Sequence, residues 1–228
     1  MKSMSFDAGP LISLALAGMA QYLPRLKEHF GGEFIITPEV HAEVVDTPLQ
    51  SKRFTLEALR IESLVRGGTI TLIDEERIRA ATGRVMRIAN RCYRAKGSHM
   101  KLVHIGEASA IAAASLLGSS AIVIDERTTR MMLEAPESLR QLMQKRLHTR
   151  VELDRQQLRR LQDMTRGIGI IRSAELAFIA VEKGVVDHLK LEHDTGKMLC
   201  EAALWGVKFA GCSISENEIG QAVMMLKG

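Results

Sequence analysis

Two short apolar runs that each end in an acid constrain this chain more than any other feature. Ser3-Met4-Ser5-Phe6 ends in Asp7 and is broken by Gly9-Pro10, and Ser120-Ala121-Ile122-Val123-Ile124 ends in Asp125-Glu126. The second run is apolar throughout, the pattern of a central parallel strand covered on both faces. An acid at the carboxyl end of a strand lies at the edge where open α/β folds place their ligands. The competing reading of Asp7 is a plain helix cap, because an Asp side chain accepts the unpaired N–H groups of a first helical turn.

Between and after these runs, strand-like and helix-like stretches alternate. Gln21 to His29 has amphipathic spacing and stops at Gly31-Gly32. Glu33-Phe34-Ile35-Ile36 is a short strand, and Thr37-Pro38 opens a helix carrying Glu39, His41, Glu43 and Asp46, which Pro48 ends. Phe54 to Val65 has helical spacing, Thr69 to Ile73 is β-branched, and Glu75 to Lys96 is expected to be one long basic helix. Gly97-Ser98-His99-Met100 is read as a loop. Gly106 to Leu117 is expected to be a buried helix closed by Gly118. Pro136 to Arg166 reads as a second charged helical region, Ile168 to Ile171 as a strand and Ala174 to Lys183 as a helix. Leu189 to Gly206 and Glu216 to Leu226 read as closing helices. Alternation of this kind implies an α/β fold with a mostly parallel sheet.

Charge is distributed unevenly along the 228 residues, although the net formal charge is only +4. From Arg77 to Lys101 eight bases occur without an acid, and from Pro136 to Arg166 eight bases face four acids. Arg84, Arg87, Arg91 and Arg94 recur at helical spacing, which would make one stripe on a helix. Such a stripe without acid partners repels itself and suits an anionic partner, most simply an RNA backbone; a plain solvated face is the alternative. Tyr93 beside the stripe is a base-stacking candidate or a packing residue. Aromatic residues make up 4% of the chain, too few for a base-stacking platform. Cys92, Cys200 and Cys212 lack the close pairing of a zinc or redox site and read as thiols of a reducing compartment. With no signal-peptide pattern and no membrane-length apolar run, a soluble cytoplasmic protein is expected.

The candidate chemistry lies in the acids Asp7, Glu43, Glu107, Asp125 and Glu126. Carboxylates gathered in one cleft cannot all ionise unless a cation joins them. Oxygen-only donors suit Mg²⁺ or Mn²⁺ rather than zinc. Such ions activate water and stabilise charge on phosphate, the chemistry of phosphodiester hydrolysis. Ser13 and Thr128 are candidates for hydrogen bonds to water or phosphate, or for helix capping. His99 and His104 precede Glu107, and Arg127 and Arg130 are positioned for phosphate contacts after the last acid.

Phe6-Asp7-Ala8-Gly9-Pro10-Leu11-Ile12, Thr37-Pro38-Glu39-Val40-His41-Ala42-Glu43-Val44, Gly106-Glu107-Ala108-Ser109-Ala110-Ile111 and Ile122-Val123-Ile124-Asp125-Glu126-Arg127 follow one another in an order that resembles the PIN-domain ribonucleases. The similarity is greatest to a prokaryotic, toxin-like subgroup whose third acid lies in a GEA segment. It touches about two thirds of the chain, in keeping with one domain carrying additions. The resemblance implies a three-layer α/β/α fold, with a single domain over 1–228 and helical insertions at about 50–103 and 136–166. It implies a metal-dependent endoribonuclease using Mg²⁺ or Mn²⁺. Asp7, Glu43 and Glu107 match the first three family acids, and either Asp125 or Glu126 the fourth; Asp7, Glu107, Asp125 and Glu126 are the expected metal ligands. RNA, held by Arg84, Arg87, Arg91, Arg94, Arg127 and Arg130, is the expected partner. An antitoxin protein and a homodimer are further partners the resemblance implies. The alternative is a PIN-like RNA-binding or assembly module with little or no catalysis.

Overall fold

In the computed structural model, which describes residues 2–226, each acid-ending run is a buried strand of one sheet. The outermost residues of the expected 1–228 domain (1, 227 and 228) lie outside this description. In chain order the first half contains β1 (Ser3–Phe6), α1 (Ala8–Leu16), α2 (Leu23–Phe30), β2 (Glu33–Ile36), α3 (Pro38–His41), a π-helical turn (Ala42–Asp46), α4 (Thr47–Leu49), α5 (Thr55–Arg66), β3 (Ile70–Leu72) and α6 (Glu76–Ala89). There follow β4 (Tyr93–Ala95), β5 (Ser98–His99), α7 (Ile105–Leu117), β6 (Ala121–Val123), α8 (Arg127–Glu134), α9 (Pro136–Leu147), β7 (Val151–Leu153), α10 (Arg155–Met164), β8 (Gly169–Ile171), α11 (Ser173–Glu182), α12 (Lys197–Phe209) and α13 (Glu216–Met225).

The main sheet has the order β3-β2-β1-β6-β8, and all its pairings are parallel. Its strands alternate between two cores. Phe6, Phe34, Ile36, Ile70 and Val123 pack with Leu11, Leu14, Leu23, Ile61, Leu176 and Leu204 on one face. Ile35, Ile122 and Ile124 pack with Ile78, Val85, Ile111, Leu139 and Leu161 on the other. A period of two along each strand thus serves helices on both faces, giving the three-layer α/β/α fold with a parallel central sheet.

The strand order reverses between β1 and β6, whose register pairs Phe6 with Val123. Their carboxyl ends therefore form the switch point where an open α/β sheet leaves a crevice. Helix α7 packs on this pair with a buried face of mostly small residues, Gly106, Ser109 and five alanines. Ser5 Oγ donates to the Ala110 carbonyl at 2.9 Å, and the Thr37 and Ser109 hydroxyls are 2.7 Å apart. These bonds fix the second turn of α7 against β1 and the residue capping α3.

The basic additions differ from the expected helices. Helix α6 ends at Ala89, and the next residues enter a three-stranded antiparallel sheet of order β5-β4-β7. Arg91 and Arg94 thus leave the helical stripe. The local spacing of the arginines is helical, but Cys92 and Tyr93 are fully buried and draw the backbone into pairing with Val151–Leu153. The Gly97 stretch is a hairpin turn rather than an open loop: Lys96 and Gly97 both have positive φ, as a two-residue turn of this hand requires. The region 50–103 also supplies β3 to the main sheet, so it is not a purely helical insertion. Likewise 136–166 is two helices separated by β7. The helix expected from Leu189 begins only at Lys197, where the Asp194 carboxylate accepts the N–H groups of Gly196, Met198 and Leu199.

Candidate active site

Gly106, on the first turn of α7, is the centre of the acidic edge. A Cβ placed there would lie 2.9 Å from Glu43 Oε2 and 3.6 Å from Asp7 Oδ1. A methyl group there would crowd the Glu43 carboxylate, while Asp7 stands at ordinary van der Waals distance. Glu107 follows Gly106, and its Oε2 accepts the His104 N–H at 2.6 Å while Oε1 accepts the Thr129 hydroxyl at 2.9 Å. Asn90 supports that turn from the end of α6: its Oδ1 accepts the N–H groups of Leu102 and Val103, and its Nδ2 donates to the Val103 carbonyl.

Asp7 occupies the helix-cap position before α1 but makes no capping hydrogen bond with its side chain. It is 5% exposed. Burial, then the charges of Glu107 and Glu43, raise its pKa from 3.8 to about 7, and the nearby N–H groups of Ala8 and Gly9 offset this only in part. Glu43 is also raised, chiefly by burial, with His104 opposing. Glu107 is raised by burial and by the Glu126 charge, against its bonds to the His104 N–H and Thr129. Glu43 stands in the π-helical turn, where Pro48 lacks the N–H that a regular helix would give to the Val44 carbonyl. Such widened turns recur at functional sites.

The two acids after β6 have different surroundings. Both oxygens of Asp125 are taken by Ser173, whose N–H donates at 2.8 Å and whose hydroxyl donates at 2.7 Å. A Cβ on Gly9 would lie 3.6 Å from both Asp125 Cβ and Asp7 Oδ2, so the residues are neighbours, but the Asp125 carboxylate is engaged by α11. Glu126 is exposed and caps α8 by accepting the Thr129 N–H at 2.6 Å. Thr129 thus links Glu126, through its backbone, to Glu107, through its hydroxyl. Gly106 stood in the sequence only as part of the GEA segment, and Thr129 and Ser173 had no assigned role there. The Gly-Glu pair opening an alanine-rich helix was a visible signal for Gly106, whereas the other two act across long sequence separations.

Among the described residues none of Asp7, Glu43, Glu107, Asp125 or Glu126 forms an ion pair with a base. No three acids, histidines or cysteines among them already close on a single metal position. The donor chemistry nonetheless fits a hard divalent ion: Asp7, Glu43 and Glu107 offer only oxygen, and burial chiefly raises the proton affinity of all three.

The remaining candidates are dispersed. Arg130 donates to the Ser213 hydroxyl at 3.2 Å, while the Ser213 hydroxyl donates to the Asp125 carbonyl, and the Arg130 Nε is buried without a partner. Arg127 is exposed at the start of α8. Arg94 donates to the Gly97 carbonyl of its own hairpin, whereas Arg84, Arg87 and Arg91 line a cleft with Arg160. Tyr93 is a core residue whose hydroxyl donates to the Pro136 carbonyl. Ser13 is buried in α1, Thr128 is half-buried, and His99 is exposed on β5.

A family model, DUF3368, described as a PIN domain, matches residues 4–138. The chain belongs to the PIN-domain family. No curated protein and no solved structure matches it. PIN domains are generally nucleases and typically use divalent metals. The match spans all the acids of this PIN domain's strand edge and ends in the first turn of α9, before β7 and α10. No helix among the described residues is long and apolar enough to cross a membrane.

Proposed function

We propose that the chain is a metal-dependent endoribonuclease whose carboxylate edge holds Mg²⁺ or Mn²⁺. The observation that carries this reading is Asp7: a buried carboxylate at the switch point with no ion-pair partner among the described residues, raised to about 7 by burial and by two neighbouring acids. Asp7, Glu43 and Glu107 would be the principal ligands. Glu126 is the better fourth candidate, because its charge reaches Glu107 while the Asp125 oxygens are held by Ser173.

When bound, a divalent ion supplies an activated water and stabilises the charge that builds on the phosphate. The chain's own groups do the rest. His104 N–H and the Thr129 hydroxyl fix Glu107 in orientation, and Gly106 lets Glu43 approach. Asp7, protonated in part near neutrality, would have to be ionised to serve as a ligand, so metal binding should strengthen as pH rises.

A catalytically silent RNA-binding module is the second reading, favoured by the loss of Asp125 to structural bonding. The toxin of a toxin–antitoxin pair would share the proposed chemistry and differ in being neutralised by a protein partner. Cleavage of labelled RNAs in EDTA, Mg²⁺ and Mn²⁺, beside Asp7→Asn prepared identically, tests the enzyme reading. Metal-dependent cutting lost in the variant supports it. Equal cutting by both proteins would trace the activity to a contaminant, and bound but intact RNA would favour the silent module.

A further inference from the structure

Helix α6, from the first basic addition, packs against α10, from the second. Arg84, Arg87 and Arg91 on one side and Arg160 on the other line the cleft between them, of about 320 Å³, with Gln157 and Ile88 completing it. All four arginines are exposed. No carboxylate among the described residues forms an ion pair with any of the four. Elsewhere on the surface Arg66, Arg77, Arg79, Arg140 and Arg166 each pair with an acid, whereas the exposed Arg53, Arg127, Arg146, Arg155 and Arg159 have no ion-pair partner among the described residues. What sets the cleft apart is that four guanidinium groups without an acid partner line one depression, where they repel one another and favour an anion.

We infer that the α6–α10 cleft is a phosphate-binding site for the backbone of single-stranded RNA, a second grip outside the carboxylate edge. Guanidinium groups present planar, multiple donors that suit phosphate oxygens, and arginine does not lose its charge. Gln157 adds a neutral donor, and no aromatic side chain lines the cleft, so it would hold backbone rather than read bases. The connection to the acids is short along the chain. Asn90, between Arg87 and Arg91, is the residue that clamps Leu102 and Val103 just before the turn bearing Glu107. The inference rests on the nuclease reading only for its choice of RNA as the anion.

The test is binding of a fluorescein-labelled 20-nucleotide single-stranded RNA to the full chain carrying Asp7→Asn, in EDTA, across a salt series. Adding Arg84→Ala/Arg87→Ala/Arg160→Ala should weaken binding by roughly 10- to 100-fold and lower the salt slope by about 2, the loss of three phosphate contacts on a single strand. Arg84→Lys/Arg87→Lys/Arg160→Lys should retain most of the slope. Lys52→Ala/Lys145→Ala/Arg146→Ala, which removes the same charge elsewhere, should change affinity less than about threefold, because dispersed charges are screened. Circular dichroism and melting of each variant check folding. Unchanged affinity and slope in the arginine-to-alanine variant, or an equal loss in the charge-matched control, would overturn the inference and leave an acidic protein segment as the occupant. Because binding is read without cleavage, a silent active site leaves this result interpretable, and failure here leaves the nuclease reading standing.

Discussion

The acidic edge and the arginine cleft both gather like charges without a counter-charge, yet burial makes them respond in opposite ways. At the edge, Asp7 and Glu107 are almost wholly buried, and their carboxyl groups relieve the repulsion by holding protons more tightly. In the cleft, the arginines are exposed, stay charged and relieve repulsion through water and salt. The buried cluster is thus suited to a small hard cation and chemistry, and the exposed one to a long flexible anion and grip. One region should set the rate and the other the affinity.

The largest expected difference comes from Asp7→Asn. Cleavage should fall on the order of a thousandfold, comparable with removing a principal electrostatic group from a catalytic site, while RNA affinity in EDTA changes less than about threefold. The alanine triple variant of the cleft should show the reverse pattern, with affinity as its main loss. Matching losses in both quantities for both variants would erase the distinction between the regions.

Stability against pH separates them next. Asp7 has an ordinary pKa of 3.8 when unfolded and about 7 when folded, so between these values the folded state keeps a proton that the unfolded state releases. Without metal, stability must therefore fall as pH rises through that window, by at most roughly 4 kcal/mol from Asp7. Glu43 and Glu107, also raised, act in the same direction. Denaturant melts in EDTA at pH 5 and pH 8 should show the decline, and Asp7→Asn should make it shallower, leaving the share of Glu43 and Glu107. The arginine cleft contributes no such slope.

Two supporting residues sharpen the comparison further. Gly106→Ala would bring a methyl group to 2.9 Å from Glu43 Oε2, the free end of a flexible side chain. The fold should survive, with Glu43 pushed aside and cleavage reduced by roughly 10- to 100-fold, the scale of losing a residue that orients metal ligands. Thr129→Val keeps the shape but removes the hydroxyl that holds Glu107, and should weaken Mn²⁺ binding by about tenfold. Normal Mn²⁺ affinity in Thr129→Val would show that the orientation of Glu107 does not depend on that bond.

Much of this contrast was visible before folding, for physical reasons. The alternation of strands and helices, the apolar β6 run and the acids at strand and helix ends depend on local patterns, which reappear in the parallel sheet and around Gly106. What the chain concealed was long-range. Asp7 directly follows β1 whereas Asp125 lies one residue further beyond the end of β6, and Ser173, 48 residues later, takes the Asp125 carboxylate. Arg91 and Arg94 kept helical spacing although strand pairing with Val151–Leu153 removes them from the helix. Arg160, far along the chain, completes the cleft that the stripe could only suggest.

The most direct test of the carboxylate site is a calorimetric titration of Mn²⁺ at pH 8 into the native chain and into Asp7→Asn. The expected result is saturable binding in the native chain, accompanied by a higher melting temperature, with both lost in the variant. Equal binding by the two proteins, or no binding by the native chain at millimolar Mn²⁺, would contradict a metal site built on Asp7.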